Sequence, residues 1–413
     1  MQSFDQVWTT VRDNHWDPSL GGLDWEAIKA ELRPRVEQAS TMAEARAVME
    51  EMIHRLKQSH FGIIPAAAYR EQEEAKAGES ADQPSKGEQG VIGVSMRIIE
   101  GQAVVTRVLP GLPAEQAGVQ PGWVVAEING KKVDRILRAM GKAFEGQTLK
   151  PAMISTAIEQ ALAARSGKTV NVVFLDGKKR RVRKQLTAVP PPGRPTQFGN
   201  LPVFTIYFET RQLPSNITYI AFNAWFDPEQ VIGGVRDALE AHPDADGVIL
   251  DLRGNPGGIG AMAMGVAGFF VDEPGTKLGT MSMRGSTMAF VINPRPTTYD
   301  GPLAVLVDER SMSTSEILAG GLQDLKRARV FGQRSPGAAL PSMVEKLPNG
   351  DRFQYAFADY VSTCGQPLEG RGVEPDETVE LTRQALLSGE DPVIAAAVRW
   401  IAGQKKTQLQ NRS

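Results

Sequence analysis

The chain has 413 residues, a formal net charge of −2 and 23% charged residues. This balance provides no overall basic field, so we expect no nucleic-acid partner. The length exceeds what a single hydrophobic core usually serves and predicts two or three domains. One cysteine excludes an intrachain disulfide, and four dispersed histidines form no cluster at zinc-ligand spacing. We therefore expect neither a metal nor a cofactor.

No apolar run reaches the roughly 18 residues of a membrane span, which predicts a chain without such a span. The first residues also lack the charged and apolar regions of a signal peptide. We expect a cytoplasmic protein if the chain is whole, and a periplasmic or exported one if a signal peptide has been trimmed. Nothing in the pattern predicts an oligomeric state.

Residues 1–66 show apolar side chains at helical spacing and predict an N-terminal helical domain. The apolar positions are Phe4, Val7 and Val11 in one stripe and Ala47, Met49, Met52, Ile53 and Leu56 in another. Residues 67–88 are polar and charged, with almost no large apolar side chain. Such a composition is typical of a flexible linker and marks a domain boundary.

Residues 89–188 change to short strand-like runs separated by glycine turns, which predicts a β domain. It opens with Gly90, Val91, Ile92 and Gly93, followed by the runs PAEQAG and PGWVVAEING. The order resembles a circularly permuted PDZ domain of the kind attached to proteases. The resemblance implies that amides of residues 90–93 hold a peptide's terminal carboxylate beside a strand edge. The glycines alone would equally suit plain turns.

One segment of this β domain is open to two interpretations. Residues 149–168 have the pattern of a helix, which would be either the groove helix or an extension of the domain.

Residues 189–385 alternate strands with helical runs and predict an α/β core, followed by a C-terminal helix and tail over 386–413. The predicted strands are at 217–226, 246–258, 301–309 and 327–333, and a helix is predicted at 228–243. Active residues of such a core lie in the loops at the carboxyl ends of the strands.

Four hydroxyl residues stand where the strand at 301–309 gives way to a helix: Ser311, Ser313, Thr314 and Ser315. They suit a helix cap, with Glu316 close by. One of them would also suit a nucleophile. The motif by itself favours the cap, so the rest of the chain must decide between the two interpretations.

Four motifs in order indicate a known family: LKQSHFGI, LDLRGNPGG, the serine-rich motif and LEGRGVEPD. The chain resembles the carboxyl-terminal processing (tail-specific) serine peptidases and their tricorn-like relatives over nearly its whole length. The resemblance implies an α/β multidomain protein whose core is of the ClpP/crotonase-like kind. It also assigns the nucleophile to Ser313.

The branches of this family differ in the general base. The processing branch uses a lysine, but Ala338 occupies the matching position here. The tricorn branch uses a Ser-His pair and a late glutamate, which match Ser59, His60 and Glu369. A serine nucleophile near neutral pH needs a base such as an imidazole, which suits His60. A third group must orient that ring, and we expect Glu369 to do so through a hydroxyl.

The negative charge of a tetrahedral intermediate also needs N–H donors. We expect the amides of Gly258, in the glycine turn, and Thr314, at the helix start, to provide them. With a histidine base, activity should fall below about pH 6.

The remaining candidates have structural interpretations. We expect His15, His54 and His242 to be ordinary partly buried histidines. Asp251 and Arg253 should brace a strand end rather than catalyse. Cys364 should be a small buried residue.

The resemblance implies a serine endopeptidase that recognises protein carboxyl-terminal tails through its PDZ domain and cleaves through an acyl-enzyme. Its partners would be proteins or peptides with free C-terminal tails. Two alternatives remain. One is a non-catalytic relative that binds peptides or apolar ligands, favoured by the missing lysine. The other is a PDZ scaffold with a purely structural core, which would leave the convergent polar loops unexplained.

Overall fold

A computed structural model describes residues 1–67, 69 and 89–412, so the predicted linker lies almost entirely outside the described residues. The chain begins with helices α1 (Gln2–Asn14), α2 (Trp25–Glu37) and α3 (Met42–His54), with a short 3-10 turn at Leu20–Gly22. Asp24 and Thr41 cap α2 and α3 by accepting hydrogen bonds from N–H groups of the first turn. Strand β1 (Gly62–Ile64) follows.

The apolar stripes of these helices form one core, with Phe4, Met49 and Met52 almost fully buried. The expectation for Ala47 was wrong: it is exposed, and its neighbour Val48 is buried instead. The reason is that Val48, not Ala47, lies on the helix face shared with Met52, four residues on.

The β domain contains three hairpins with a glycine in the turn, and three helices. Its elements are β2 (Gln89–Gly90), β3 (Val94–Ile99), β4 (Gln102–Val108), α4 (Pro113–Gln116), β5 (Val124–Ile128), β6 (Lys131–Lys132), α5 (Val133–Ala143), α6 (Lys150–Leu162), β7 (Ala164–Arg165), β8 (Thr169–Leu175) and β9 (Arg181–Thr187). The hairpins are β3-β4, β5-β6 and β8-β9. The main sheet has the order β3-β4-β5-β8-β9, which leaves β3 at an edge.

Helix α6 answers the question left open for residues 149–168. Its residues Ile154, Ile158 and Leu162 share a core with Met96 of β3. The side chain of Glu159 accepts a hydrogen bond from Met96 N at 3.2 Å. The helix therefore lies beside the edge strand and forms the second wall of a groove.

The α/β core follows. Its elements are β10 (Arg194–Thr196), β11 (Phe204–Ile206), β12 (Phe208–Leu213), β13 (Ile217–Phe222), α7 (Pro228–Ala241), β14 (Gly247–Asp251), α8 (Ala261–Ala267), β15 (Lys277–Met283), β16 (Ser286–Val291), β17 (Leu303–Val307), α9 (Thr314–Asp324), β18 (Arg329–Gly332), β19 (Ser342–Lys346), β20 (Arg352–Ala356), β21 (Ala358–Ser362), β22 (Glu377–Thr378), α10 (Arg383–Leu387) and α11 (Pro392–Arg412).

The central sheet has the order β12-β13-β14-β17-β18-β22 and is parallel except at its β12 edge. Every residue of β13, β14 and β17 is buried, as expected for parallel strands covered on both faces. Residues from α7, α8 and α9 cover one face, and α11 covers the other. The carboxyl ends of these strands therefore meet at one edge of the sheet.

The N-terminal helices are joined to this core by a shared sheet. Strand β1 pairs antiparallel with β20, and Leu347, Phe353 and Tyr355 belong to the core of the helical segment. This pairing places Ser59 and His60, which lie just before β1, next to the α/β core. Within the described residues, no helix is both long and apolar enough to cross a membrane.

Candidate active site

The serine-rich motif begins α9, and three of its four hydroxyls hold the local backbone. Ser311 Oγ donates to Leu252 O at 2.9 Å, and Ser315 Oγ donates to Asn255 O at 3.1 Å. Thr314 Oγ1 donates to Gly258 O at 3.0 Å. These bonds tie the helix start to the glycine turn after β14. Ser313 occupies the N-cap position, so a capping role and a nucleophilic role do not conflict.

Ser313 has an unusual backbone, with φ 55° and ψ −117°. A non-glycine residue in such a region is strained by about 1–3 kcal/mol and stays there only when its surroundings hold it. Its N–H is shared between Ala338 O at 2.9 Å and the Oε2 atom of Glu316 at 3.0 Å. Because this amide is engaged, it is not free to bind an oxyanion.

Ser59, His60 and Glu369 form a continuous hydrogen-bonded chain. Ser59 Oγ donates to Glu369 Oε2 at 2.8 Å and lies 2.7 Å from His60 Nδ1. The Ser59 hydroxyl has one proton, which it donates in the hydrogen bond to Glu369. Ser59 Oγ must therefore accept a hydrogen bond from Nδ1–H of the His60 ring. This tautomer leaves Nε2 with its lone pair, as a general base requires.

Burial changes the pKa of both ends of this relay. It lowers the pKa of His60 to about 4, because the surrounding protein disfavours the charged imidazolium. It raises the pKa of the Glu369 carboxyl, partly opposed by hydrogen bonds from Ser59 and Ala339. His60 is therefore neutral at physiological pH, the state in which it can accept a proton.

One peptide group links Ser313 to this relay. The carbonyl of Ala338 accepts from Ser313 N at 2.9 Å. The N–H of the same peptide, on Ala339, donates to Glu369 Oε2 at 3.2 Å. The position that matches the lysine of the processing branch thus contributes its backbone here, with a buried methyl side chain.

The glycine turn packs directly on the start of α9. A side-chain Cβ added at Gly257, whose φ is 92°, would lie 2.6 Å from Ser313 Cβ and 3.0 Å from Thr314 N. Gly258 also has positive φ and lies against Trp225 O. The amides of Gly258 and Thr314, expected as oxyanion donors, are thus on segments in contact. The sequence interpretation missed Gly257, although the glycine pair signalled a close backbone approach.

Glu316 is a second residue whose position the sequence did not reveal. Its buried carboxylate accepts from Ser313 N and from three donors of the loop 335–338. In the sequence it signalled only a cap.

The residues 90–93 are only partly available to a peptide. Val91 exchanges backbone hydrogen bonds with Val189, so its amide is already engaged. Gly90 pairs with Ala164, and the carbonyls of Ile92 and Gly93 accept from Ala114 N and Leu109 N. Gly93 has φ 85°, and a side chain there would collide with Leu112.

A cavity of about 1220 Å³ lies between the β domain and the α/β core. Its walls include Ile92 and Gly93, the edge strand β3, Glu159 of α6 and the loops at the carboxyl ends of the central strands. The groove between β3 and α6 therefore opens toward the edge of the sheet that carries the candidate catalytic loops.

Several ion pairs cross this boundary. Arg97 Nε of β3 donates to Asp308 Oδ2 at 2.7 Å, and Arg310 Nη1 donates to Glu159 Oε1 at 2.7 Å. Asp308 Oδ1 also accepts from Gly254 N at 2.9 Å. These bonds connect β3 and α6, the walls of the groove, to Asp308 and Arg310, which precede Ser313. Through Asp308 they also reach Gly254, in the glycine turn.

The other candidates lie outside the candidate site. The expectation that His54 is partly buried was wrong, because it is exposed at the end of α3. Arg253 bridges Asp251 and Asp391, and Tyr219 donates to Asp251, so this cluster braces the strand end. His15 is buried between Asp17 O and the side chain of Gln58. The expectation that Cys364 is buried was wrong: it is exposed in the turn after β21.

No group of three or more potential metal ligands occurs within the part of the chain that the structure describes.

Comparison with known families identifies each of the three parts. Residues 216–379 match the model of peptidase family S41. This match covers most of the α/β core, which is therefore similar to a peptidase family S41 domain. Residues 1–54 match the tricorn protease C1 domain, and residues 82–141 match the PDZ domain. The resemblance to processing and tricorn-like serine peptidases, and the order of helices, PDZ domain and S41 core, are thereby confirmed.

Curated relatives and solved structures match most of this chain. A probable CtpA-like serine protease of Staphylococcus haemolyticus is 26% identical over 348 residues, which are 81% of this chain and 60% of the relative. This chain thus spans about 60% of the length of the curated relatives it matches.

Two solved structures agree in fold. The photosystem II D1 C-terminal processing protease superposes with a TM-score of 0.59 at 20% identity, covering 93% of each chain. Mature CPAF complexed with lactacystin has a TM-score of 0.62 at 14% identity, covering 100% of this chain and 99% of the other. The predicted fold class is thereby confirmed.

Proposed function

We propose that this chain is a serine endopeptidase that cleaves peptide bonds through an acyl-enzyme, with Ser313 as nucleophile and His60 as general base. The observation that carries the proposal is the Ser59–His60–Glu369 relay. Residues 310 positions apart in the sequence meet at hydrogen-bond distance, in the tautomer that a base needs. A role in stability alone would not require this order of donors.

The proposed reaction uses these residues as follows. His60 Nε2 takes the proton of Ser313 Oγ as the oxygen attacks the scissile carbonyl, and Nδ1–H stays bonded to Ser59. Glu369, through the Ser59 hydroxyl, stabilises the imidazolium. Amides of Gly258 and Thr314 hold the oxyanion, each contributing about 3 kcal/mol. His60 then protonates the leaving amine, and water hydrolyses the ester by the reverse sequence.

The substrates in this proposal are proteins or peptides with free C-terminal tails. The PDZ domain would receive the tail along β3, facing α6, as a strand added to the sheet edge. With Val91 engaged, the amides of Ile92 and Gly93 are the better candidates for the carboxylate. The cavity between the PDZ domain and the core supports this route, because its walls include β3 as well as Gly254, Pro256 and Arg310, which lie close in the chain to the glycine turn and the serine-rich motif.

The domain limits are part of the same proposal: a helical domain at 1–66, a linker at 67–88, a PDZ domain at 89–188, the peptidase core at 189–385 and a C-terminal segment at 386–413. The strands β8 and β9 support the end of the PDZ domain near residue 188, because they complete its sheet.

Substitution of the two reacting groups tests the activity. Ser313→Ala and His60→Ala should each lower kcat/KM for peptide hydrolysis by about 10⁴-fold or more. Unfolding free energies should change by less than about 1 kcal/mol, because neither side chain belongs to an apolar core. The double variant should be hardly slower than either single variant, as for groups that act together.

A serine-directed fluorophosphonate gives an independent readout. It should label wild type at Ser313 and leave Ser313→Ala unlabelled. Near-normal activity of His60→Ala would refute the histidine base. A wild type that neither cleaves peptides nor takes the label would instead support the alternative of a non-catalytic peptide or apolar-ligand binder.

A further inference from the structure

The carboxylate of Glu316 lies fully inside the core, in the first turn of α9, and takes no part in the chemistry proposed above. Its Oε1 accepts from Ser335 Oγ at 2.6 Å and from Gly337 N at 2.7 Å. Its Oε2 accepts from Ala338 N at 2.9 Å and from Ser313 N at 3.0 Å. These four donors occupy the acceptor positions that an ionised carboxylate offers.

The burial of this group is unfavourable in itself. Among the described residues no cation forms an ion pair with Glu316, and all four hydrogen-bond donors are uncharged. Desolvation raises the pKa of Glu316 to about 7 in spite of these donors. An apolar side chain would fill a buried position at a lower free-energy cost. A role beyond stability explains why a carboxylate stands here.

The donors belong to two parts of the candidate active site. Ser313 N is the amide of the proposed nucleophile. Gly337 and Ala338 belong to the loop after β18, which packs on the segment that carries Glu369: Gly370 N donates to Gly337 O at 2.8 Å. A side chain at Gly337 would lie 2.7 Å from Arg371 N. Glu316 thus ties the nucleophile's backbone to the loop behind the acid.

We propose that Glu316 is a positioning residue of the peptidase site, which holds Ser313 in its strained backbone conformation and sets its spacing from the Ser59–His60–Glu369 relay. The inference rests on the proposed function. Its physical basis is orientation, because a displacement of about 1 Å between reacting groups lowers a rate by about 100-fold.

Glu316→Gln is the sharpest variant. It keeps the shape of the side chain but replaces one oxygen by an NH2 group, which would face two N–H or O–H donors. We expect kcat to fall by about 100-fold while KM changes by less than about threefold. In wild type, kcat should also fall partly around pH 7, as Glu316 takes up a proton and loses acceptor positions. The variant should lack this step.

Asp176→Asn is a matched control. Asp176 is 5% exposed and accepts from the amides of Lys178 and Arg180 at 2.9 and 2.8 Å, in the turn between β8 and β9. Asp176→Asn should weaken this turn, where Asp176 also pairs with Arg180, and leave kcat unchanged. If Glu316→Gln lowered kcat no more than Asp176→Asn, the positioning role would be refuted.

Amide hydrogen exchange measures the same contact without catalysis. In Glu316→Gln, the amides of Gly337 and Ala338 should exchange roughly tenfold faster, while those in the middle of α9 should not change. Should this variant fail to fold, Ser335→Ala removes one of the four donors and should raise the same exchange rates by a smaller factor. Unchanged exchange would overturn the inference.

These experiments distinguish failure of the proposed function from failure of the positioning role of Glu316. A wild type without peptidase activity or fluorophosphonate labelling would refute the proposed function. The exchange of Gly337 and Ala338 would still decide whether Glu316 holds the loop.

Discussion

At the scale of single residues, the two groups proposed to exchange a proton both have left-handed backbone angles. His60 has φ 60° and Ser313 has φ 55°. Non-glycine residues adopt such angles rarely, and they concentrate at functional sites, where the surrounding structure holds the strain. For Ser313 the surrounding contacts are the bonds from its amide to Ala338 and Glu316. For His60, the bonds from Ser59 to Glu369 hold the adjoining residue.

The pH dependence belongs to this scale. The residue type alone predicted loss of activity below about pH 6, but burial lowers the pKa of His60 to about 4. Because the neutral ring is the base, activity is lost as pH falls through that value. We expect the complete loss of kcat/KM to be centred near pH 4, below the partial step of Glu316.

Steady-state rates from pH 3.5 to 9, with a stability control at each pH, check this expectation. A complete loss of activity at pH 6 in folded protein would show that the ring of His60 is less desolvated than the structure indicates.

At the scale of elements, the site depends on how closely the glycine turn after β14 approaches the start of α9. Three hydroxyls of the serine-rich motif donate to carbonyls of residues 252–258, and Met312 N donates to Asn255 O at 3.0 Å. The approach leaves no room for a side chain at Gly257. The turn and the helix start therefore act as one unit.

Gly257→Ala should disturb that unit. Its Cβ would lie 2.8 Å from Met312 O and 2.6 Å from Ser313 Cβ, so the turn or the helix start must move. We expect kcat to fall by about 100-fold, with the folded state destabilised by about 1 kcal/mol or more.

Gly275→Ala is the matched control, because Gly275 has φ 81° and nothing within 4 Å of an added Cβ. It should show the backbone penalty in thermal unfolding without the loss of kcat. Equal activity of the two variants would mean that the close approach at Gly257 is unimportant for catalysis.

At the scale of the whole molecule, the PDZ groove faces the α/β core rather than solvent alone. The cavity between them and the Arg97–Asp308 pair place the edge strand β3 beside the loops that lead to Ser313. A tail bound along β3 would therefore lie close to both domains.

Tail recognition can be measured on the complete chain. With Ser313→Ala to prevent cleavage, peptides with a free, apolar carboxyl terminus should bind more tightly than their amidated forms. Amidation removes the charge that the amides of the groove entry would hold. Isothermal calorimetry with matched acid and amide peptides checks this. Equal affinities would argue against recognition of the terminal carboxylate.

Several features of the fold followed from local sequence patterns. The runs that became β13, β14 and β17 are short, apolar and bounded by turn residues, which is typical of buried parallel strands. The four motifs located Ser313, His60 and Glu369 through family resemblance. The error at Ala47 shows the limit of periodicity, because neighbouring apolar residues of similar spacing differ in which face the tertiary fold covers.

The sequence by itself determined the local elements and the kinds of chemical group available, because propensity, periodicity and side-chain type act over a few residues. Only the tertiary structure decided the tautomer of His60, the role of the Ala338 backbone and the four donors around Glu316. Each of these depends on a hydrogen bond between segments far apart in the chain, such as the bond from Ser59 to Glu369 across 310 positions. Pairing β1 with β20 makes that bond possible.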